Sequence, residues 1–66
     1  MNITLNGIAR QEPSGISLAE LVASLGQTPQ GLATAVNQAF VPRDARLNHV
    51  LMDGDSVTTF QPITGG

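Results

Sequence analysis

The chain opens on alternating apolar and polar positions, Met1-Asn2-Ile3-Thr4-Leu5, the period of a half-buried strand. Asn6-Gly7 follows, and then Ile8-Ala9-Arg10-Gln11. Asn-Gly between two strand-like runs supplies the positive φ values of a two-residue type I′ turn. The spacing therefore predicts a β-hairpin with Leu5 and Ile8 facing each other on one side. Glu12-Pro13-Ser14-Gly15 is loop chemistry. Ser17-Leu18-Ala19-Glu20 then matches a capping box, with Ser17 as N-cap and Glu20 reaching back. Leu18, Leu21, Val22 and Leu25 fall on one stripe of a short amphipathic helix over residues 18–25, and Gly26 suits its left-handed C-cap. About two turns cannot hold alone in water, so this helix must lie on a sheet.

The second half returns to strand periods. Residues 27–31, with Pro29 and Gly31, read as a connector. Leu32, Thr34 and Val36 share one face of a strand over residues 32–36. Asn37-Gln38 is a tight turn, and Ala39-Phe40-Val41 a short strand that Pro42 stops, with Phe40 expected in the core. Residues 43–50 show no clear period; Leu47 and Val50 are the expected inward anchors of a turn or 3₁₀ segment. Leu51 to Asp55 is a turn in which Gly54 takes φ > 0. Ser56-Val57-Thr58-Thr59-Phe60 is β-branched and aromatic, a good last strand. Residues 61–66 cannot be regular structure and are expected to project as a flexible tail. The order hairpin, helix, two or three further strands and tail predicts an α+β fold over residues 1–66. It has a mixed sheet of four to five strands, one main helix on one face and a flexible C-terminal Gly-Gly tail: the β-grasp (ubiquitin-like) arrangement.

Composition narrows the function classes. Sixty-six residues make one small domain with a thin core. With no cysteine there is no thiol nucleophile, Fe–S cluster, zinc finger, redox pair or disulfide. Five carboxylates against three arginines, and no lysine, leave a net charge of −2. That argues against nucleic-acid binding and against an anionic membrane surface. Two aromatics, Phe40 and Phe60, are too few for a base-stacking platform. No apolar run approaches a membrane span and no basic-then-apolar leader opens the chain, which predicts a cytoplasmic protein.

The side chains offer no enzyme. His49 is the only histidine and has no nucleophile-elbow serine to serve, so it reads as structural or solvated. Asp53 and Asp55 flank Gly54, but a calcium loop would need more oxygen ligands and a closing Glu, and the pair reads as turn-forming. Glu12 and Glu20 are separated by a loop, and the serines read as caps and turn residues. No glycine loop precedes a Lys, so no phosphate cradle of that type exists. The remaining group is the terminal carboxylate of Gly66. A carboxylate that must enter another protein's active site needs a narrow approach, and Gly65-Gly66 has no Cβ to block it. There it could attack the α-phosphate of ATP, and a sulfur nucleophile could convert the acyl-adenylate to a thiocarboxylate.

A β-grasp body, a projecting Gly-Gly tail and the absence of catalytic side chains together resemble the ubiquitin-like sulfur carriers, and among them most closely the ThiS family of thiamin biosynthesis. Nearly the whole chain takes part. The resemblance is carried by Asn6-Gly7, by Ser17-Leu18-Ala19-Glu20-Leu21, and by Val36-Asn37 with Val41-Pro42-Arg43. Asp53-Gly54-Asp55 with Val57 and the ending Phe60-Gln61-Pro62-Ile63-Thr64-Gly65-Gly66 complete it. It implies a protein that is not an enzyme but a carried, sulfur-donating co-substrate, a monomer alone, with no intrinsic cofactor. An E1-like adenylyltransferase (ThiF) would use ATP and Mg²⁺ to adenylate Gly66. Sulfur passed as a persulfide from a cysteine desulfurase would make the thiocarboxylate. Thiazole synthase (ThiG) would take that sulfur into the thiazole ring, with deoxyxylulose phosphate and an imine from glycine or tyrosine. Ile63, Thr64 and Gly65 would thread into the partner sites, with Ile63 able to anchor in a groove. Phe60, on the sheet face away from the helix, and Arg43 are candidate docking residues. Three readings compete: a MoaD-like carrier for molybdopterin synthesis, which is usually longer; a ubiquitin-like protein modifier; and an interaction module with an inert tail. Substituting Gly66 separates the last from the others.

Overall fold

The computed structural model describes residues 1–26 and 32–60. Asn2–Leu5 (β1) and Ile8–Gln11 (β2) pair antiparallel with Leu5 opposite Ile8. The turn between them holds Asn6 at φ 52° and Gly7 at φ 83°. Both values lie in the left-handed region that Asn and Gly tolerate and β-branched residues do not. The predicted hairpin and its register are therefore both present. Leu5 enters the core, whereas Ile8 on the same side is 70% exposed, because β2 is an edge strand and contributes nothing to the buried cluster.

The helix forms as its cap predicts. In α1 (Leu18–Ser24) the Glu20 N–H donates to Ser17 Oγ at 3.1 Å, and the Ser17 N–H donates to Glu20 Oε1 at 3.2 Å. Two more of the first-turn N–H groups are taken up by a distant loop: Leu18 N–H donates to the His49 carbonyl (2.8 Å) and Ala19 N–H to the Arg46 carbonyl (3.2 Å). Gly26, at φ 72°, turns the chain off the last turn. Ser17→Ala should cost about 1 kcal/mol, the usual value of an N-cap hydroxyl, read as a lower urea midpoint with an unchanged denaturant slope.

Ala33–Val36 (β3) and Ala39–Val41 (β4) form a second hairpin, whose turn residues Asn37 and Gln38 sit at φ 52° and 70°. A short 3₁₀ turn, Arg43–Ala45, follows, and Ser56–Phe60 (β5) is the last strand. The sheet runs β2-β1-β5-β3-β4. β5 lies in its middle, parallel to β1 and antiparallel to β3. This is the predicted mixed sheet, with five strands.

The helix covers one face. Leu18, Leu21 and Val22 pack with Ile3 and Leu5 of β1, Val36 and Val41 of the second hairpin, Val57 of β5, and Leu32 and Leu51 from flanking loops. Each such side chain contributes roughly 1.5–3 kcal/mol of burial.

Two expectations fail here. Phe40 is 65% exposed rather than core: β4 has one inward place between Ala39 and Pro42, and Val41 takes it, which turns Phe40 to the opposite face. Leu47 and Val50 are 70% and 55% exposed, while Arg46 and Leu51 are buried. The segment is held by its backbone: besides the two carbonyls that cap α1, Leu51 N–H donates to the Ile16 carbonyl (2.9 Å), and Val50 bridges Ser17. Those bonds set its orientation, and the side chains of Leu47 and Val50 point where that orientation leaves them. The predicted connector over residues 27–31 and the predicted tail over residues 61–66 lie outside the described residues.

Candidate functional site

Four of the five carboxylates are engaged in holding the fold. Asp53 Oδ1 accepts from the Asn2 N–H (2.6 Å), and Asp55 Oδ2 accepts from the Met52 N–H (2.8 Å). The two aspartates therefore form the turn, as their spacing around Gly54 predicts. Glu12 pairs with Arg10 (2.9 Å) and Glu20 with its helix cap. His49 is half-buried, and its carbonyl serves the helix. A surface depression lined by Asn2, Ala9, Arg10 and Gln11 offers a cation but no nucleophile. Among the described residues no three His, Cys, Asp or Glu side chains gather to hold a metal, and no helix is long and apolar enough to cross a membrane.

What the fold does build is an exit. β5 is the central strand, and it ends at Phe60, from which the chain continues toward Gly66. On one side the end of β5 is held by β3, with Thr34 opposite Thr59 and Ala33 opposite Phe60. On the other side β1 has already turned away: its pairing stops at Leu5 opposite Val57. There the Asn6 side chain reaches across. Thr59 N–H donates to Asn6 Oδ1 at 2.9 Å, and Asn6 Nδ2 donates to Thr59 Oγ1 at 3.0 Å.

The sheet face away from the helix carries an apolar patch beside this exit. Val57 points to the core, so alternation sends Thr58 one way, Thr59 the other, and Phe60 to the open face, where it is 46% exposed. Opposite residues in a ladder share a face. Phe40 stands opposite Ala35 and Phe60 opposite Ala33, so the two rings flank a pair of alanines on one surface. Arg43, exposed and without an ion pair among the described residues, follows the end of β4, which lies at the same end of the sheet as Phe60. The structure thus brings Phe60 and Arg43 to one end. Ile63, Thr64, Gly65 and Gly66 lie outside the described residues.

Three residues have a placement or a side-chain role beyond what the sequence predicts. Phe40 had a visible signal in the single inward place of a three-residue strand. Asn6 was read for its backbone alone, and nothing local says that its amide meets Thr59. Arg46 is 4% exposed: its Nε–H donates to Thr34 Oγ1 (2.9 Å) and its Nη2 to the Leu32 carbonyl, while the Thr34 hydroxyl donates to the Val41 carbonyl (2.9 Å). An arginine in an aperiodic loop gives no sign of burial.

Known proteins share both the sequence and this architecture. The sequence profile of the ThiS family matches residues 3–66. The Escherichia coli K12 sulfur carrier protein ThiS is 41% identical over 66 residues, the whole of both chains. A crystal structure of the thiamine biosynthesis protein ThiS from Geobacter metallireducens superposes with a TM-score of 0.88 at 25% identity, covering all of each chain. A solution structure of a thiamine biosynthesis protein from the same organism gives 0.78 at 25% identity, over all of this chain and 88% of that one. A five-stranded sheet grasping one helix, a family match over residues 3–66 and a relative 41% identical over its whole length are decisive: the chain belongs to the ThiS family.

Proposed function

We infer that this chain is a sulfur carrier of thiamin biosynthesis whose reactive group is the carboxylate of Gly66. The observation that carries the reading is the span of the family match, which extends through residue 66, the position the chemistry needs. In this reading an E1-like adenylyltransferase binds ATP and Mg²⁺, and a Gly66 carboxylate oxygen attacks the α-phosphate and releases pyrophosphate. A persulfide sulfur then attacks the acyl carbon and displaces AMP, and a thiol reduces the acyl disulfide to leave the thiocarboxylate. The chain has no cysteine, so every thiol in that sequence belongs to a partner, and the carrier cannot capture its own adenylate through sulfur. Thiazole synthase is the acceptor, a cysteine desulfurase the sulfur source and the cytoplasm the compartment. The carrier itself is a co-substrate without an intrinsic cofactor.

The body serves as the handle. The exposed rings of Phe40 and Phe60 on the open face suit a partner's apolar surface, and aromatic anchors of this kind carry much of an interface's energy. Arg43 adds a cation at the same end of the sheet, where an acidic partner surface would meet it. The test is intact-protein mass spectrometry after incubation with ATP, Mg²⁺, cysteine, a cysteine desulfurase and the adenylyltransferase of the same organism. A gain equal to one oxygen exchanged for sulfur is expected, and thiazole synthase with deoxyxylulose phosphate should then discharge it. No gain, with enzymes that convert a known carrier, would sink the reading.

A further inference from the structure

The two hairpins of the sheet share a device. Each places an asparagine at φ 52° in the first position of its turn, and each asparagine gives its side chain to β5. Asn37 serves the start of the strand: its Oδ1 accepts from the Ser56 N–H (3.0 Å), and its Nδ2 donates to Asp55 Oδ1 (3.0 Å). Asn6 serves the end, through the two bonds to Thr59. The Asn6 case has a topological reason. A parallel ladder uses every second residue on each side, and the β1 side of β5 is used by Thr4 N–H to the Asp55 carbonyl (3.0 Å) and Asn6 N–H to the Val57 carbonyl (2.8 Å). The next β5 donor on that side is Thr59 N–H. It would have met the backbone carbonyl of a longer β1, but the chain has already turned at Asn6-Gly7. The amide oxygen of Asn6 occupies the missing acceptor's place.

We propose that Asn6 is a positioning residue for the carrier tail: its side chain replaces the absent strand beside Thr59 and so sets the direction in which β5 hands the chain on beyond Phe60. Without it the last two residues of β5 would be held from the β3 side alone, and the strand end could swing about that single ladder. A carboxylate presented to a partner's active site from a strand end that swings spends less of its time in line with the reacting phosphorus, because reactive geometry is lost within about an ångström. The functional part of this proposal rests on the sulfur-carrier reading above.

Asn37 supplies the matched control, since it makes the same kinds of bond at the end of β5 remote from the tail. Asn6→Gly and Asn37→Gly both keep a residue at ease with positive φ and both delete a side-chain clamp. Asn6→Asp keeps an acceptor for the Thr59 N–H and for the Thr59 hydroxyl. Amide hydrogen exchange should show the Thr59 protection falling about fivefold to tenfold in Asn6→Gly, the worth of one hydrogen bond, and Ser56 protection falling similarly in Asn37→Gly. With the adenylyltransferase limiting and ATP and the sulfur donor in excess, kcat/KM for conversion of the carrier should fall at least fivefold in Asn6→Gly, stay at the wild-type value in Asn37→Gly and recover in Asn6→Asp. Equal losses in the two glycine variants would reduce Asn6 to a general stabiliser and overturn the proposal. So would full turnover in Asn6→Gly while Thr59 exchanges freely. A wild-type chain that the adenylyltransferase ignores, although it converts a known carrier, overturns the carrier reading, and the proposed role of Asn6 in it falls too.

Discussion

Deletion of Gly66 should abolish thiocarboxylate formation while leaving the folding transition where it was. On the proposed reading the chemistry is confined to the carboxylate of Gly66. Truncation leaves a carboxylate on Gly65, but one residue short, about 3.5 Å from where the partner's nucleotide would expect it. Near-attack geometry tolerates much less: a misplacement of about 1 Å costs roughly a hundredfold, so the loss here should exceed that and register as no detectable sulfur mass gain. Among the described residues every member of the buried cluster lies between Ile3 and Val57, and the last strand ends at Phe60. Intact mass after the reconstituted reaction, read beside a urea melt, checks both halves. Retention of sulfur transfer by the truncated chain would place the reactive group elsewhere. An inert tail on an interaction module would instead leave partner binding unchanged by the deletion.

The elements legible in the sequence were those whose instructions are local. Asn6-Gly7 between two alternating runs encodes a hairpin because the turn geometry itself demands positive φ. Ser17 and Glu20 encode a helix start because their side chains meet backbone three residues away. The β-branched run at Ser56–Phe60 encodes a strand for the same kind of reason. In the loop from Pro42 to Met52 the expected 3₁₀ turn is present, but the inward places of Leu47 and Val50 are not, because the instructions for its orientation are not local. Its task is to present the carbonyls of Arg46 and His49 to the first turn of α1, more than twenty residues away in sequence, and a hydrophobic pattern does not report where carbonyls point. Leu47 and Val50 looked like anchors and are exposed for that reason. Phe40 was misjudged by hydrophobicity against period, and period won. Of the candidate site, the sheet face and its Phe60 were legible from alternation. The Asn6 clamp was not, since a side-chain amide meeting a residue fifty-three positions away leaves no local trace.

Arg46→Ala should destabilise the chain by about 3 kcal/mol, the sum of a cavity and a stranded carbonyl. For a chain of this length total stability is roughly 3–10 kcal/mol, so the substitution removes a third of it or more. The guanidinium is 4% exposed and ties three segments together: the start of β3 through Thr34 Oγ1, the preceding loop through the Leu32 carbonyl, and, through the Thr34 hydroxyl, the end of β4 at Val41. No carboxylate among the described residues pairs with it, so the protein carries the desolvation of a cation for the sake of its fork of donors. That separates its replacements. Arg46→Lys retains the charge but has no planar fork for both acceptors, and should lose nearly as much as Ala. Arg46→Met fills most of the volume and removes the buried charge, which often offsets the lost hydrogen bonds, and should cost clearly less than either. Urea denaturation of the three variants tests the order Met above Lys and Ala. A lysine variant as stable as wild type would mean that the charge itself is what this site needs, with its partner among the residues beyond those described, and the fork would then be incidental.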